Sequence, residues 1–461
     1  MTSEKIIGKG SYGVVTRNGS NVTKTCKLFS EDEDFYLDDN SIREAIFYQL
    51  VNKDNLNLLN LYSSNIPLTT INIVDNSIKY NMLYLGKTMS KYKHTNKAET
   101  ISIFNKILKT LYYLHNKGFT HGDLKPDNIL LDSEKNPYVI DYGSICYWHN
   151  KSMNNVYQRC TLYYVSPEEL IDGYYSSKND IWSLGIILFE WLTGFNFIDS
   201  LFKICDIPDK ERLQFFEYNG KSPDGIMVPT TFLCDFYKNV SYDKIYECVK
   251  KYITDIDFVK IIGHCLLKDI NIRCGVTKLL ESTIFKQKIN IITPRSSVDD
   301  DSYMSYCDEY RNNIHDMIWE LCNTYTTILS QSIYGHSIML YDRIILRLGN
   351  HNYNKSVLAL CSIILSNIIL KSNIIKVSTM IKIYSSNTFI SEEINIKIIK
   401  SYFNIIFKNT YFLLFSKSAD MYLIDENILI NYETYRYICK RYILTSATVT
   451  FIIQKYKEHI E

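Results

Sequence analysis

The 461 residues hold 8 Pro and 17 Gly, and almost none of either falls in the last third of the chain. That scarcity argues against a turn-rich, sheet-based architecture there and favours helix. Twelve Cys occur without a single C-x-x-C pair, which suits free thiols in a reducing compartment rather than a disulfide or zinc framework. Charge of one sign is also missing: 51 Lys+Arg against 50 Asp+Glu leave +1. Neither nucleic acid nor an anionic membrane gains an electrostatic argument from that balance. No apolar run reaches the ~20 residues a bilayer requires. The longest, Val357 to Leu370, carries Ser362, Ser366 and Asn367 and reads as a buried core helix. Met1-Thr2-Ser3-Glu4 does not open a secretory signal, so a cytoplasmic location is expected. The hydrophobic share of 46% over 461 residues is enough for two or three cores.

What is present is a dense polar string. Residues 121–131 read His121-Gly122-Asp123-Leu124-Lys125-Pro126-Asp127-Asn128-Ile129-Leu130-Leu131, and ten positions later Asp141-Tyr142-Gly143 follows the apolar Tyr138-Val139-Ile140. Phosphoryl transfer needs a carboxylate to orient the attacking hydroxyl, a Lys to neutralise the moving group, and an Asn and an Asp to hold Mg²⁺. Asp123, Lys125, Asn128 and Asp141 fill those roles in order.

Upstream, Gly8-Lys9-Gly10-Ser11-Tyr12-Gly13-Val14-Val15 has the glycine spacing that lets a strand-turn-strand lie close over a triphosphate, its backbone N–H groups aimed at the oxygens. Asn18-Gly19 marks a two-residue hairpin turn. Counting across it, Val15 faces Val22, and alternation puts Lys24 on the same inner face. Lys24 is the choice for the α- and β-phosphate lysine. Lys27 has the opposite parity, although its distance to the next helix suits the role equally. A cap at Asp38-Asp39-Asn40-Ser41 opens a helix in which Ile42 and Ile46 share a face with Gln49 and Glu44 points at the nucleotide lysine.

Farther on, Thr161-Leu162-Tyr163-Tyr164-Val165-Ser166-Pro167-Glu168 closes a segment that began at Gly143, and Asp180-Ile181-Trp182-Ser183-Leu184-Gly185 starts an apolar helix. Arg273 is placed to pair with Glu168. On these motifs, residues 1 to about 288 resemble a eukaryotic-type Ser/Thr protein kinase. The resemblance implies an α+β bilobal kinase fold, with an N-lobe over about 1–85 and a C-lobe over about 86–288. It also implies ATP and Mg²⁺ as cofactors, a protein substrate, and a Thr161 side chain that bridges Asp123 and Lys125. The segment Asn40-Ser41-Ile42-Arg43-Glu44 is similar to the helix-C signature of cyclin-dependent kinases. Two departures stand out. Gly122 occupies the place where most regulated kinases carry an Arg that reads an activation-loop phosphate, and Asn155-Val156-Tyr157-Gln158-Arg159-Cys160 offers no Ser or Thr to be phosphorylated. The abundance of Tyr, Ile, Asn and Lys is similar to that of large DNA viruses with AT-rich genomes, which would make the location host cytoplasm.

Residues 289–302 read as a polar linker, and 303–461 as an all-α bundle of five or more helices. Its helix order resembles a cyclin box over roughly 310–415. Ser337 to Ile345 looks like the second helix, Leu358 to Ser366 the third, Ser378 to Ser385 the fourth and Ile390 to Ile394 the start of the fifth. Cyclins grip their kinase with a Lys and a Glu from the third and fifth helices; here Asn367 and approximately Ile398 stand in those places. Asp342 and Arg343 are retained, a pair that on many helices simply faces solvent. The resemblance implies a cyclin-like activator carried within the same chain. A generic helical bundle that recruits another protein is the competing reading, as is a pseudokinase scaffold.

Overall fold

A computed structural model describes residues 4–10, 13–29, 37–57, 65–94, 96–147, 161–217, 229–285, 309–324, 331–349, 353–370, 377–385, 396–410, 430, 432–439 and 449–460. They belong to two compact units. One draws on Met1–Leu59, Leu68–Tyr84 and Ile292–Glu461, the other on Asn60–Pro67 and Leu85–Ile291.

The first unit opens with β1 (Lys5–Gly10), β2 (Gly13–Asn18) and β3 (Asn21–Lys27), then α1 (Asp39–Asn57), β4 (Thr70–Val74) and β5 (Ser77–Leu83). The strands form one antiparallel sheet in the order β1-β2-β3-β5-β4. The β2–β3 register corrects the count made from sequence. Asn18 pairs with Asn21 and Val15 with Lys24, not with Val22, so the turn residues are Gly19 and Ser20. Gly19 takes φ 63°, a conformation glycine adopts without steric cost, and this makes it the first residue of the turn rather than the second. Because the pairing moves by two residues, facing parity is unchanged and Lys24 stays on the face of Val15.

The second unit is mainly helical. In chain order it holds β6 (Lys87–Thr88), α2 (Lys97–Asn116), β7 (Phe119–Thr120), β8 (Ile129–Leu131), β9 (Pro137–Val139), β10 (Cys146–Tyr147), α3 (Pro167–Asp172), α4 (Ser177–Thr193), α5 (Phe197–Ile204), α6 (Asp209–Glu217), α7 (Pro229–Asn239), α8 (Tyr242–Tyr252), α9 (Ile256–Cys265) and α10 (Val276–Leu280). Two small sheets, β6-β8-β9 and β7-β10, carry the polar string. The helix α4 starts sharply because Ser176 and Asn179 make a reciprocal capping box. It then runs through the core with Ile181, Trp182, Ile186, Ile187 and Phe189 buried. The expected strut is present: Arg273, fully buried, makes two bonds to Glu168 at 2.6 and 2.9 Å. No single described helix is long and apolar enough to cross a membrane.

The first unit resumes with α11 (Glu309–Thr324), α12 (Gln331–Leu348), α13 (Lys355–Leu370), α14 (Val377–Ser385), α15 (Ile396–Thr410), α16 (Tyr432–Cys439) and α17 (Val449–Ile460). Every residue of α13 from Val357 to Leu370 is buried, since α11, α12, α14, α15 and α1 all pack on it. Its polar side chains find local partners: Ser362 donates to the Leu358 carbonyl at 2.8 Å and Ser366 bonds His336 at 2.9 Å. The solvent-facing alternative for Asp342 fails. Asp342 is buried and takes two bonds from Arg311 of α11, at 3.0 and 2.6 Å, an arrangement a buried carboxylate requires.

Packing on α13 also explains why α1 departs from a one-faced helix. Residues 41 to 48 are all buried, whereas Gln49 is half-exposed. One side meets Tyr80 of β5, whose hydroxyl bonds the Ser41 carbonyl and whose ring lies 6.1 Å from that of Tyr48. Another side meets α13. The linker 289–302, residues 155–160 and the proposed helix start at 390–394 lie outside the described residues.

Candidate active site

The first unit contributes the glycine hairpin and an ion pair. In β1 and β2, Gly8 pairs with Val15, Lys9 with Val14 and Gly10 with Gly13; Ser11 and Tyr12 lie outside the described residues. Gly13 cannot be enlarged, because a Cβ there would sit 2.4 Å from the Thr25 carbonyl oxygen and 2.9 Å from Cys26 Sγ. Lys24 Nζ lies 2.6 Å from Glu44 Oε2. Both groups are largely withdrawn from water, Glu44 more than Lys24, so the pair is held under lower dielectric than a surface bridge. Lys27 falls on the opposite parity and is exposed, which favours Lys24 of the two candidates. The neighbouring Cys26 is no rival nucleophile, since burial pushes its thiol up to about 12.

The second unit brings together Asp123, Lys125, Asn128 and Thr161. Lys125 Nζ donates to Asp123 Oδ2 at 2.6 Å and to Thr161 Oγ1 at 2.7 Å. Thr161 in turn donates to Asp123 Oδ1 twice, through its hydroxyl at 3.0 Å and its backbone N–H at 3.1 Å. Asn128 Nδ2 bonds the Asp123 carbonyl at 2.8 Å and its carboxylate at 3.2 Å. Four donors thus fix one carboxylate while leaving it half-buried, open to a hydroxyl that it could orient.

Asp180 is a residue whose part in this arrangement the sequence reading missed. It is buried at the start of α4, and its carboxylate accepts from the backbone N–H of His121 at 2.9 Å and of Gly122 at 3.1 Å, with His115 Nε2 also at 2.9 Å. Burial alone pushes this carboxyl up, but the hydrogen bond and charge of His115, joined by His121, outweigh it and hold the group below the usual Asp range. The loop that presents Asp123 is therefore anchored from α4. An acidic residue in the first turn of an otherwise apolar helix was the available signal.

Asp141 sits at φ 65°, ψ 70°, a left-handed conformation that costs a non-glycine residue on the order of 1 kcal/mol or more. Its surroundings hold it there. The Ile140 N–H donates to the Asn128 carbonyl at 2.9 Å, His121 Nε2 bonds the Ile140 carbonyl at 3.1 Å, and the buried Tyr142 ring packs on His121 at 5.1 Å. Asn128 uses its Nδ2 on Asp123, which leaves the amide oxygen as the atom that would face a metal ion. That oxygen and the Asp141 carboxylate are hard donors of the kind Mg²⁺ prefers, and Mg²⁺ takes one or two carboxylates plus phosphate and water rather than a full protein cage.

A β-sheet lobe with a buried Lys–Glu pair and a helical lobe with this Asp–Lys–Asn–Thr cluster are the two lobes of a protein kinase fold. The chain belongs to the protein kinase family: the protein kinase domain matches residues 1–285, more than half of it. It is 28% identical over 230 residues to cyclin-dependent kinase 12 of Caenorhabditis elegans, covering 45% of this chain and 31% of that protein. It is 30% identical over 277 residues to calcium-dependent protein kinase 5 of Plasmodium falciparum, covering 56% and 43%. A putative serine/threonine-protein kinase, L268, of Acanthamoeba polyphaga mimivirus is 27% identical over 303 residues, covering 61% and 51%. The chain thus spans about half or less of each of these relatives. Family membership implies ATP as phosphoryl donor, with a divalent metal.

Proposed function

We propose that the chain is an ATP- and Mg²⁺-dependent protein kinase that phosphorylates Ser and Thr hydroxyls, and that its C-terminal helices act on the kinase lobe in cis as a cyclin-like activator. The observation that carries the catalytic reading is the Asp123–Lys125–Thr161 cluster. Asp123 orients the substrate hydroxyl, Lys125 offsets charge developing on the transferred group, and Thr161 fixes both. Lys24, held by Glu44, binds the α- and β-phosphates under the backbone of Gly8 to Gly13. Asn128 and Asp141 are the residues that would hold Mg²⁺, which when bound neutralises phosphate charge and aligns the phosphates. The similarity to serine/threonine-protein kinases supports the Ser/Thr assignment, and the cyclin-dependent relative supports the comparison with a cyclin.

Support for action in cis comes from the packing of α13 on α1, the helix that carries Glu44. Tethering gives such a contact an effective concentration in the millimolar range for a short linker. With Gly122 in place of a phosphate-reading Arg, activity does not depend on an activating phosphothreonine. The test is transfer of radiolabelled phosphate from ATP to a generic basic protein by the full chain and by Asp123→Asn, followed by phosphoamino-acid analysis. Label on Ser or Thr that disappears in the variant supports the reading. Nucleotide binding without transfer by the full chain would replace it with a scaffold.

A further inference from the structure

The residue before Glu44 does something the catalytic reading does not use. Arg43 is buried, and its guanidinium spans two parts of the first unit: Nη2 donates to Asn40 Oδ1 at 2.6 Å on its own helix, and Nη1 donates to the carbonyl oxygen of Ile368 on α13 at 3.3 Å. The Asp39 carboxylate is 3.9 Å from the same Nη1. Ile368 lies in the last turn of α13, where carbonyls lack an intrahelical N–H partner and the helix dipole is negative. That turn holds no basic residue of its own. Among the described residues, a cation at the end of this buried helix is supplied by Arg43 of the kinase lobe.

We propose that Arg43 is a positioning residue through which α13 sets the place of Glu44, and hence of Lys24. Arg43 and Glu44 are consecutive on α1, so their side chains leave the helix about 100° apart. One is fastened to the Ile368 carbonyl, the other to Lys24 Nζ. A shift of the α13 terminus relative to α1 would rotate or slide the helix and open the 2.6 Å pair. The contact also answers the loss of the cyclin-type Lys at Asn367. Asn367 is buried beside Ile368, and the gripping cation is supplied by the kinase side, donating into a carbonyl of the helical side. Lys400 of α15, whose ammonium lies 5.6 Å from the ring of Phe29, is a second contact between the same two parts that does not involve Arg43. The inference rests on the reading that the Lys24–Glu44 pair serves phosphoryl transfer.

A double-mutant cycle on the full chain tests it. Arg43→Met keeps the apolar stem and removes the donors, and Glu44→Gln removes the charge that holds Lys24. The expected result is that Arg43→Met lowers kcat about tenfold with the peptide KM unchanged, that Arg43→Lys recovers part of the loss, and that Arg43→Met costs less than about twofold once Glu44→Gln is present. Full additivity of the two changes, or an unchanged kcat in Arg43→Met, overturns the proposal while leaving the kinase reading intact. If the unmutated chain transfers no phosphate, the kinase reading has failed and amide exchange decides. Faster exchange over residues 42–48 in Arg43→Met, with residues 258–265 unchanged, supports the coupling of α1 to α13, and equal exchange in the two proteins overturns it.

Discussion

The Thr161 hydroxyl donates to Asp123 Oδ1 at 3.0 Å while accepting from Lys125 Nζ at 2.7 Å. With the Thr161 backbone N–H, it is how the segment ending at Glu168 reaches the proposed catalytic carboxylate. Thr161→Ala removes both bonds and leaves only the backbone N–H on Oδ1. The expected outcome in a steady-state assay is a fall in kcat of about tenfold or more, with Thr161→Ser close to the parent. Equal activity of the Ala and Ser variants would show that the hydroxyl has no part in turnover.

The N–H of Gly122 donates to Asp180 Oδ1 at 3.1 Å, so the loop before Asp123 is fixed from within α4. Treatment of the purified chain with a Ser/Thr phosphatase, followed by removal of the phosphatase, is expected to leave the transfer rate within about twofold. A loss of activity that an upstream kinase restores would contradict this.

Arg273 and Glu168 form a pair from which water is excluded, the guanidinium also donating to the carbonyls of Leu267 and Lys178 at 2.8 and 3.0 Å. Removing one partner strands the other. Arg273→Met is expected to destabilise the second unit by about 3–5 kcal/mol in urea unfolding, and the double change with Glu168→Leu by clearly less. Losses that merely add would mean that the pair is not what holds this corner.

The grouping of Asp123, Lys125 and Asn128 was legible in sequence because they lie within a short string and each type suits the chemistry of phosphate. Lys24 was legible for a different reason. Strand parity survives a two-residue error in register, so a turn misplaced from Gly19-Ser20 to Asn18-Gly19 still put Lys24 on the face of Val15, where it meets Glu44. What the sequence hid depends on contacts between distant segments. Asp342 could not be told from a solvent-facing charge because its partner Arg311 is 31 positions away, and Arg43 read as part of a helix signature because the carbonyl it meets is 325 positions away. A backbone carbonyl has no side-chain signature at all. The even burial of α1 from residue 41 to 48 was hidden for the same reason: periodicity reports one partner surface, and this helix has two.

His336 gives the C-terminal helices a pH dependence of known sign. It is buried on α12 beside Ser366, and burial, with the charge of Arg343 adding to it, pushes the imidazole down from 6.5 to about 3. The folded chain therefore rejects a proton that the unfolded chain accepts. The stability this contributes is fully present above pH 6.5 and is lost as pH falls from there towards 3. Between pH 7.5 and 5.5 the loss is about 1.4 kcal/mol, from one unit of the titration at 1.36 kcal/mol per unit. The measurement is amide exchange in α13 at both pH values for the parent chain and for His336→Asn, whose amide takes the place of Nδ1 on Ser366 but does not titrate. The parent is expected to lose about tenfold more protection than the variant on going to pH 5.5. Equal losses would mean that the imidazole gains its proton without opening the helices, and a smaller loss in the parent would reverse the sign of the linkage.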